Sequence, residues 1–175
     1  MVTSLVMCHT AEMTSEELAA VRALMDSAFG QFTDHDWDHA LGGQHALVVD
    51  DGQVVAHGAL VMRRLLHADR ALRCGYVEAV ATAPARSRQG HAATVMAALE
   101  SLAPAYDVLA LSATEAGVAL YEARGWQRWR GPTSVLAPTG VEPTPDDDGS
   151  VYVLGGTGLD LDAGLTCDWR QGDVW

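Results

Sequence analysis

Tyr76-Val77-Glu78-Ala79-Val80-Ala81-Thr82, then Pro84, then Arg88-Gln89-Gly90-His91-Ala92 is the stretch whose reading decides the fold. An apolar strand runs into a polar, glycine-containing turn. The turn opens the alanine-rich run Ala92 to Ala103, which reads as helix because alanine loses least on entering one. The first-turn amides of a helix lack intrahelical partners and stand at the positive end of its dipole. They offer a seat for phosphate, and Gly90 and Ala92 leave room for a pyrophosphate to approach. Arg86 and Arg88 add positive charge. Taken alone, the motif fits an ordinary strand-turn-helix with two solvated arginines about equally well.

Upstream, His45 to Val49 and Gln53 to Leu65 are strand-like runs joined by Asp50-Asp51-Gly52, a hairpin signal, and Arg70 to Thr82 is a third strand. Residues 14–29 read as a helix: Thr14 and Glu17 form a capping-box pattern, and Leu18, Val21, Met25 and Ala28 recur at helical spacing. The acidic, aromatic stretch Gln31 to His39, ending at Gly42-Gly43, reads as a loop or a short helix near one. Downstream, Asp107 to Leu111 reads as a buried parallel strand, and Thr114 as the cap of a helix through Arg124. Gly125 fits the left-handed position that ends that helix. Pro132, Pro138, Pro143 and Pro145 break Gly131 to Asp148 into a loop, and Val151 to Leu154 and Leu165 to Trp169 are expected at sheet edges. The order predicts a mixed α/β (α+β) domain around a central sheet.

The chain has 175 residues, enough for one domain with its own core, and 49% of them are hydrophobic. Against 23 acids stand 11 cations, all arginine, for a net charge of −12. A nucleic-acid binder needs a basic face, so that class is disfavoured, and a small cationic ligand is the natural partner of such a field. The excess is uneven: residues 132–175 hold eight acids and one arginine. Cys8, Cys74 and Cys167 form no CxxC pair, which argues against a disulfide framework. Neither a membrane span nor a secretory signal is expected, and a reduced cytoplasmic protein is the simplest reading. Asp34, Asp36 and Asp38 alternate like the start of a calcium loop, but Trp37 and the missing glycine break the pattern. His35, His39 and His45 lack zinc-ligand spacing and are expected to cap, pack or face water, so no metal is expected.

The strand-turn-helix resembles the acetyl-coenzyme A segment of the GCN5-related N-acetyltransferase (GNAT) superfamily, with Gly90 and Ala92 matching its last two fixed places. Ser87 stands where glutamine or arginine is usual, so Arg88 is the alternative pyrophosphate contact. Leu120-Tyr121-Glu122-Ala123-Arg124-Gly125-Trp126 is similar to the superfamily's second signature. A closer resemblance, to aminoglycoside 2′-N-acetyltransferases, runs over nearly the whole chain. It is carried by Phe32-Thr33 with Asp36-Trp37, by Leu41-Gly42-Gly43 with His45-Ala46-Leu47, and by Leu72 to Glu78. Gly131 to Gly140, Thr144 to Gly149 and Cys167 to Trp175 carry it further.

The resemblance implies a GNAT fold: a central mixed, mostly antiparallel sheet flanked by helices, in one domain over 1–175, with 132–175 as a family-specific acidic part. It implies metal-free transfer of an acetyl group from acetyl-CoA to the 2′-amine of an aminoglycoside, conferring resistance. Glu78 is then the general base, directly or through water, and Tyr121 the general acid toward the leaving thiolate. Backbone groups of Val80, Ala81 and Thr82 would pair with the pantetheine arm, and Ser87, Arg88, Gln89, Gly90, His91 and Ala92 would hold the pyrophosphate. Gln31, Asp36, Glu78, Ala79, Ser112, Asp147, Asp173 and Trp175, the last with its α-carboxylate, would meet the drug. Gln31 stands where relatives carry an acid, which brings the less cationic kasugamycin beside kanamycin-like and gentamicin-like drugs as a substrate. A homodimer is expected by analogy with the superfamily. Two alternatives stay open on the residues: a GNAT enzyme for another amine, such as a polyamine or peptide, and a non-catalytic module that binds a cationic drug.

Overall fold

Short-range polar pairs start the first two helices. Thr14 caps α1 (Ser15–Ala28) by accepting the Glu17 amide, and Glu17 answers by accepting the Thr14 amide at 2.8 Å. Thr33 and Asp36 repeat the device at α2 (Asp34–Ala40), which makes the acidic stretch helical rather than looped. Such a cap contributes about 1 kcal/mol. The computed structural model describes residues 3–175, which fall into two compact units.

Unit one comprises the described residues through Val61 together with Val77–Leu102. It holds β1 (Thr3–His9), β2 (Gln44–Asp50), α1, α2, α3 (His91–Glu100), the first part of β3 (Gln53–His67) and the last part of β4 (Arg70–Thr82). β1 pairs antiparallel with β2 from Thr3↔Asp50 to His9↔Gln44, and β2 with β3 from Gln44↔Leu60 to Asp50↔Gln53. The turn residues Asp51 and Gly52 have φ of 48° and 80°, the two positive values that a tight hairpin requires. Val21, Leu24 and Met25 of α1 pack with Leu47 and Ala81, and Phe29, Phe32 and Trp37 lie against that cluster. α3 approaches β3 closely: a Cβ at Gly58 would stand 2.7 Å from Val95.

Unit two comprises Met62–Tyr76 and Ala103–Trp175. Besides the remaining parts of β3 and β4 it holds β5 (Val108–Ser112), α4 (Val118–Ala123), β6 (Gln127–Arg128), β7 (Thr133–Ala137), β8 (Gly140–Pro143), β9 (Val151–Gly155) and β10 (Leu165–Asp168). The hydrogen-bonded order is β6-β9-β5-β4-β3-β10-β7-β8, with β2 on β3 and β1 on β2. β4–β5 and β10–β7 run parallel, whereas β3–β10, β5–β9, β6–β9 and β7–β8 run antiparallel. This is the mixed, mostly antiparallel sheet that the resemblance implies.

Three expectations need correction, and one strand went unread. Gly131 to Asp148 is not a loop throughout: it folds into the β7–β8 hairpin, with Pro132 and Pro143 at strand ends and Pro138 in the turn, where a missing N–H interrupts no ladder. β9 and β10 are interior strands, with Val151, Tyr152, Val153, Leu165 and Cys167 buried. Thr114 does not cap α4; its carbonyl accepts the Gly117 amide in a turn, and the helix begins at Val118. β1 carries no alternation because most of it is exposed on both faces, so the sequence offered no signal for it. Among the described residues no helix is long and apolar enough to cross a membrane.

Candidate functional site

In unit one the end of β4 and the start of α3 build one local geometry. Ala79 has a φ of 49°, a left-handed conformation that kinks β4 between Glu78 and Val80. Glu78, Ala79 and Val80 are half-buried at that kink. After β4, the Ala83 amide donates to Val55 O at 2.8 Å and a 3₁₀ turn covers Pro84–Arg86. Arg88 and Gly90 then take positive φ values of 60° and 85°. Gly90 is the N-cap of α3, and no side chain caps that end. The first helical bond is Thr94 N–H to Gly90 O at 3.0 Å, so the amides of His91, Ala92 and Ala93 precede the ladder. Ser87, Arg88 and Gln89 are exposed.

Two buried polar atoms beside this turn lack a partner: Thr82 Oγ1 at the end of β4 and His91 Nε2 in the first turn of α3. Buried polar groups are normally satisfied, so such a pair points to a polar ligand. An uncapped helix start preceded by left-handed turn residues suits a pyrophosphate, and a strand end with an orphaned hydroxyl suits an amide-bearing arm. The residues present therefore fit coenzyme A. Arg86 serves differently from the expectation. Its Nη1 pairs with buried Asp50 at 2.7 Å, so this cation ties the hairpin to the turn, and Arg88 is the exposed arginine that follows it.

Of the residues expected to meet substrate, unit one holds, besides Glu78 and Ala79 at the kink, exposed Gln31 and half-buried Asp36. One Asp36 oxygen already accepts the Thr33 amide at 2.8 Å and its hydroxyl at 2.9 Å. The other candidates lie in unit two. Tyr121 is buried on α4, and burial pushes its hydroxyl up to about 12, so it holds its proton at neutral pH. Gly117 permits this placement, since a Cβ there would stand 2.7 Å from the tyrosine ring.

Ser112 donates to Ser150 Oγ at 3.2 Å, and Ser150 to the Asp147 carbonyl at 2.8 Å, which links the end of β5 to the acidic turn. Burial first, then the nearby Asp173 and Asp146, raise the Asp147 carboxyl above its ordinary value. Asp147 and Asp173 thus share one negative field. Trp175 is buried, and its indole donates to Thr144 Oγ1 at 2.9 Å. Arg170 donates to Trp175 O at 3.0 Å and to Asp173 O at 2.8 Å. One oxygen of the group expected to meet an ammonium therefore already has a cation.

Sequence reasoning named Thr82 and His91 among the cofactor residues without foreseeing their unsatisfied side-chain atoms, and it missed a buried pair, His45 and His57. A signal existed for the pair: both histidines interrupt apolar strand runs, where burial obliges them to find partners.

Comparison with known proteins agrees with this geometry. The family model described as "Acetyltransferase (GNAT) domain" matches residues 9–129. An aminoglycoside 2′-N-acetyltransferase of Mycolicibacterium fortuitum is 49% identical over 174 residues, covering 95% of this chain and 89% of that protein. Among solved structures, the GNAT family N-acetyltransferase YhbS of Escherichia coli in complex with CoA superposes with a TM-score of 0.63 at 14% identity, over 97% of this chain and 90% of that one. A GCN5-related N-acetyltransferase from Kribbella flavida superposes with a TM-score of 0.60 at 19% identity over 74% of this chain. The chain spans only 34% of that longer protein. The family match covers well over half the chain and includes the strand-turn-helix. The chain belongs to the GNAT acetyltransferase family.

Proposed function

We propose that this protein transfers the acetyl group of acetyl-CoA to the 2′-amine of an aminoglycoside, and so inactivates the drug. The observation that carries the reading is the reach of the likeness. The GNAT domain match stops at residue 129, whereas the 49% match to the aminoglycoside enzyme covers 95% of the chain and therefore runs into the acidic segment beyond it.

Bound acetyl-CoA would supply an acyl thioester. In this reading the amides at the start of α3 with Arg88 hold its pyrophosphate, and Val80, Ala81 and Thr82 hold its arm. An ammonium has no lone pair to attack with, so Glu78 takes a proton from the 2′-ammonium, directly or through one water. The C–N bond then forms as the C–S bond breaks, with the Val80 amide donating to the carbonyl oxygen, and the acylated nitrogen releases its second proton to water. Tyr121 donates to the departing sulfur. A thiol titrates near 8.5 in water, so complete transfer from a hydroxyl near 12 is uphill by about 5 kcal/mol. Tyr121 therefore acts first as a hydrogen-bond donor, and full transfer waits on desolvation of the thiolate. Asp36, Asp147 and Asp173 orient the drug's other ammonium groups, and Gln31 replaces one acid, which keeps a less cationic aminosugar such as kasugamycin among the substrates. A cytoplasmic homodimer belongs to the same reading, supported by the exposed apolar side chains Met62, Leu136 and Val141 of unit two.

The test is thiol release from acetyl-CoA with kanamycin-like, gentamicin-like and kasugamycin substrates, a polyamine and a peptide amine, with the product located by mass spectrometry. Acetylation at the 2′-amine is expected, falling about 100-fold in Glu78→Gln. Turnover of the polyamine or peptide alone would reject the substrate class, and unchanged turnover in Glu78→Gln would reject the base.

A further inference from the structure

His45 on β2 and His57 on β3 have no exposed surface. One line of hydrogen bonds runs through them. It goes from the Gly42 amide to Thr10 Oγ1 at 2.9 Å, from Thr10 Oγ1 to His45 Nε2 at 2.7 Å, from His45 Nδ1 to His57 Nε2 at 2.9 Å, and from His57 Nδ1 to Ala79 O at 2.8 Å. The last partner fixes every direction. A carbonyl oxygen only accepts, so His57 carries its proton on Nδ1. In the neutral ring His57 Nε2 then accepts, which puts the His45 proton on Nδ1 as well. His45 Nε2 accepts from the Thr10 hydroxyl at 2.7 Å, a much shorter contact than the 3.3 Å to Gly43 O that competes for the same proton, and the hydroxyl accepts the Gly42 amide. All four donors point one way, toward Ala79.

Ala79 is also where β4 leaves extended geometry, at a φ of 49°. A left-handed alanine costs on the order of 1 kcal/mol or more and persists only where its surroundings impose it. Both of its sequence neighbours, Glu78 and Val80, have reaction roles in the reading above.

We propose that the Thr10–His45–His57 line is a positioning device for acetyl transfer: it holds the Ala79 carbonyl, and the kink so fixed aims the Glu78 carboxylate and the Val80 amide. The inference rests on the roles given to those two groups. The line is not a proton path, because it ends on a carbonyl oxygen that has no proton to pass on. Its contribution is geometric, and misplacement of a reacting group by about 1 Å costs rate on the order of 100-fold.

Two substitutions separate positioning from simple packing. His57→Leu keeps the bulk and removes both nitrogens; His57→Asn keeps an N–H donor close to the place of Nδ1. His57→Leu is expected to lower kcat about 10-fold or more with KM for the amine within about threefold, and His57→Asn to recover most of kcat. Lower melting temperatures with an unchanged kcat in both would overturn the proposal. Long-range proton–nitrogen spectra of the unaltered protein give a readout independent of any variant's folding. Both rings should be Nδ1–H tautomers, and an Nε2–H ring at either position overturns the line. Should the unaltered protein acetylate no aminosugar, the functional reading fails and the device is judged on backbone alone. Carbon shifts and the amide coupling of Ala79 should report a left-handed residue in the unaltered protein and in His57→Asn, and an extended one in His57→Leu. A left-handed Ala79 in His57→Leu refutes it.

Discussion

Burial gives His57 a second consequence, for stability. Desolvation drives its ring down to about 3, outweighing the bond to Ala79 O, which favours the proton, and His45 beside it pushes the same way as burial. Burial also lowers His45, to about 4, with His9 adding to the effect. An unfolded chain takes up these protons near the ordinary 6.5, whereas the folded chain refuses them. Stability is therefore complete above pH 6.5 and drains as the pH falls toward the folded values, at about 1.4 kcal/mol per pH unit for each histidine. Urea unfolding of the unaltered protein between pH 6.5 and 5, above the carboxylate range, should show a steadily falling midpoint. His57→Leu should show a slope smaller by one proton, and an identical slope would mean that His57 is protonated in the folded state.

At the level of elements, the run Asp146-Asp147-Asp148 reads as three equal acids in the sequence, and the fold makes them unequal. Asp148 Oδ1 accepts the Thr133 amide at 2.8 Å and the Thr133 hydroxyl at 2.9 Å, which closes the turn onto the start of β7. Thr133 is buried, so losing that acceptor strands its amide, while its hydroxyl keeps the Thr144 carbonyl at 2.9 Å. Asp148→Ala is expected to cost about 2 kcal/mol, while Asp146→Ala, at an exposed position, should leave stability unchanged; thermal unfolding of the two variants checks the difference. The contrast shows what was legible. Local chemistry was readable: Asp51-Gly52 predicts the β2–β3 turn, Thr14 with Glu17 predicts the start of α1, and Gly90 predicts the start of α3. Pairings distant in sequence were not, because nothing in Gly131 to Asp148 says that β7 will run parallel to β10. For the same reason Arg86 looked like a phosphate ligand until the fold gave it Asp50, 36 positions earlier in the chain. The candidate cofactor residues were legible as a motif, whereas the histidine line behind Ala79 emerges only once three strands are in place.

For the molecule as a whole, the charge balance governs how a cation arrives. Among the described residues several arginines are spent on carboxylates, among them Arg22 on Asp26 and Asp34, Arg63 on Asp168, Arg73 on Asp107, Arg86 on Asp50 and Arg130 on Asp162. Those pairs cancel at short range and leave the acid excess, −12 overall, to act at a distance. Exposed charges are felt over about 10 Å at 0.1 M salt and over much less at higher ionic strength. Capture of a drug with several ammonium groups should therefore weaken as salt rises, and the chemical step should not, since it follows capture. Raising sodium chloride from about 0.02 to about 0.5 M is expected to lower kcat/KM for a kanamycin-like drug about 10-fold, with kcat nearly level. For the less cationic kasugamycin the slope should be shallower, because fewer charges are steered. Acetyl-CoA is an anion repelled by the same field, so its KM should hold level or fall. Steady-state rates for both drugs at fixed pH, with acetyl-CoA saturating, decide the matter: equal salt slopes would mean that the acid excess solvates the protein without steering its substrate.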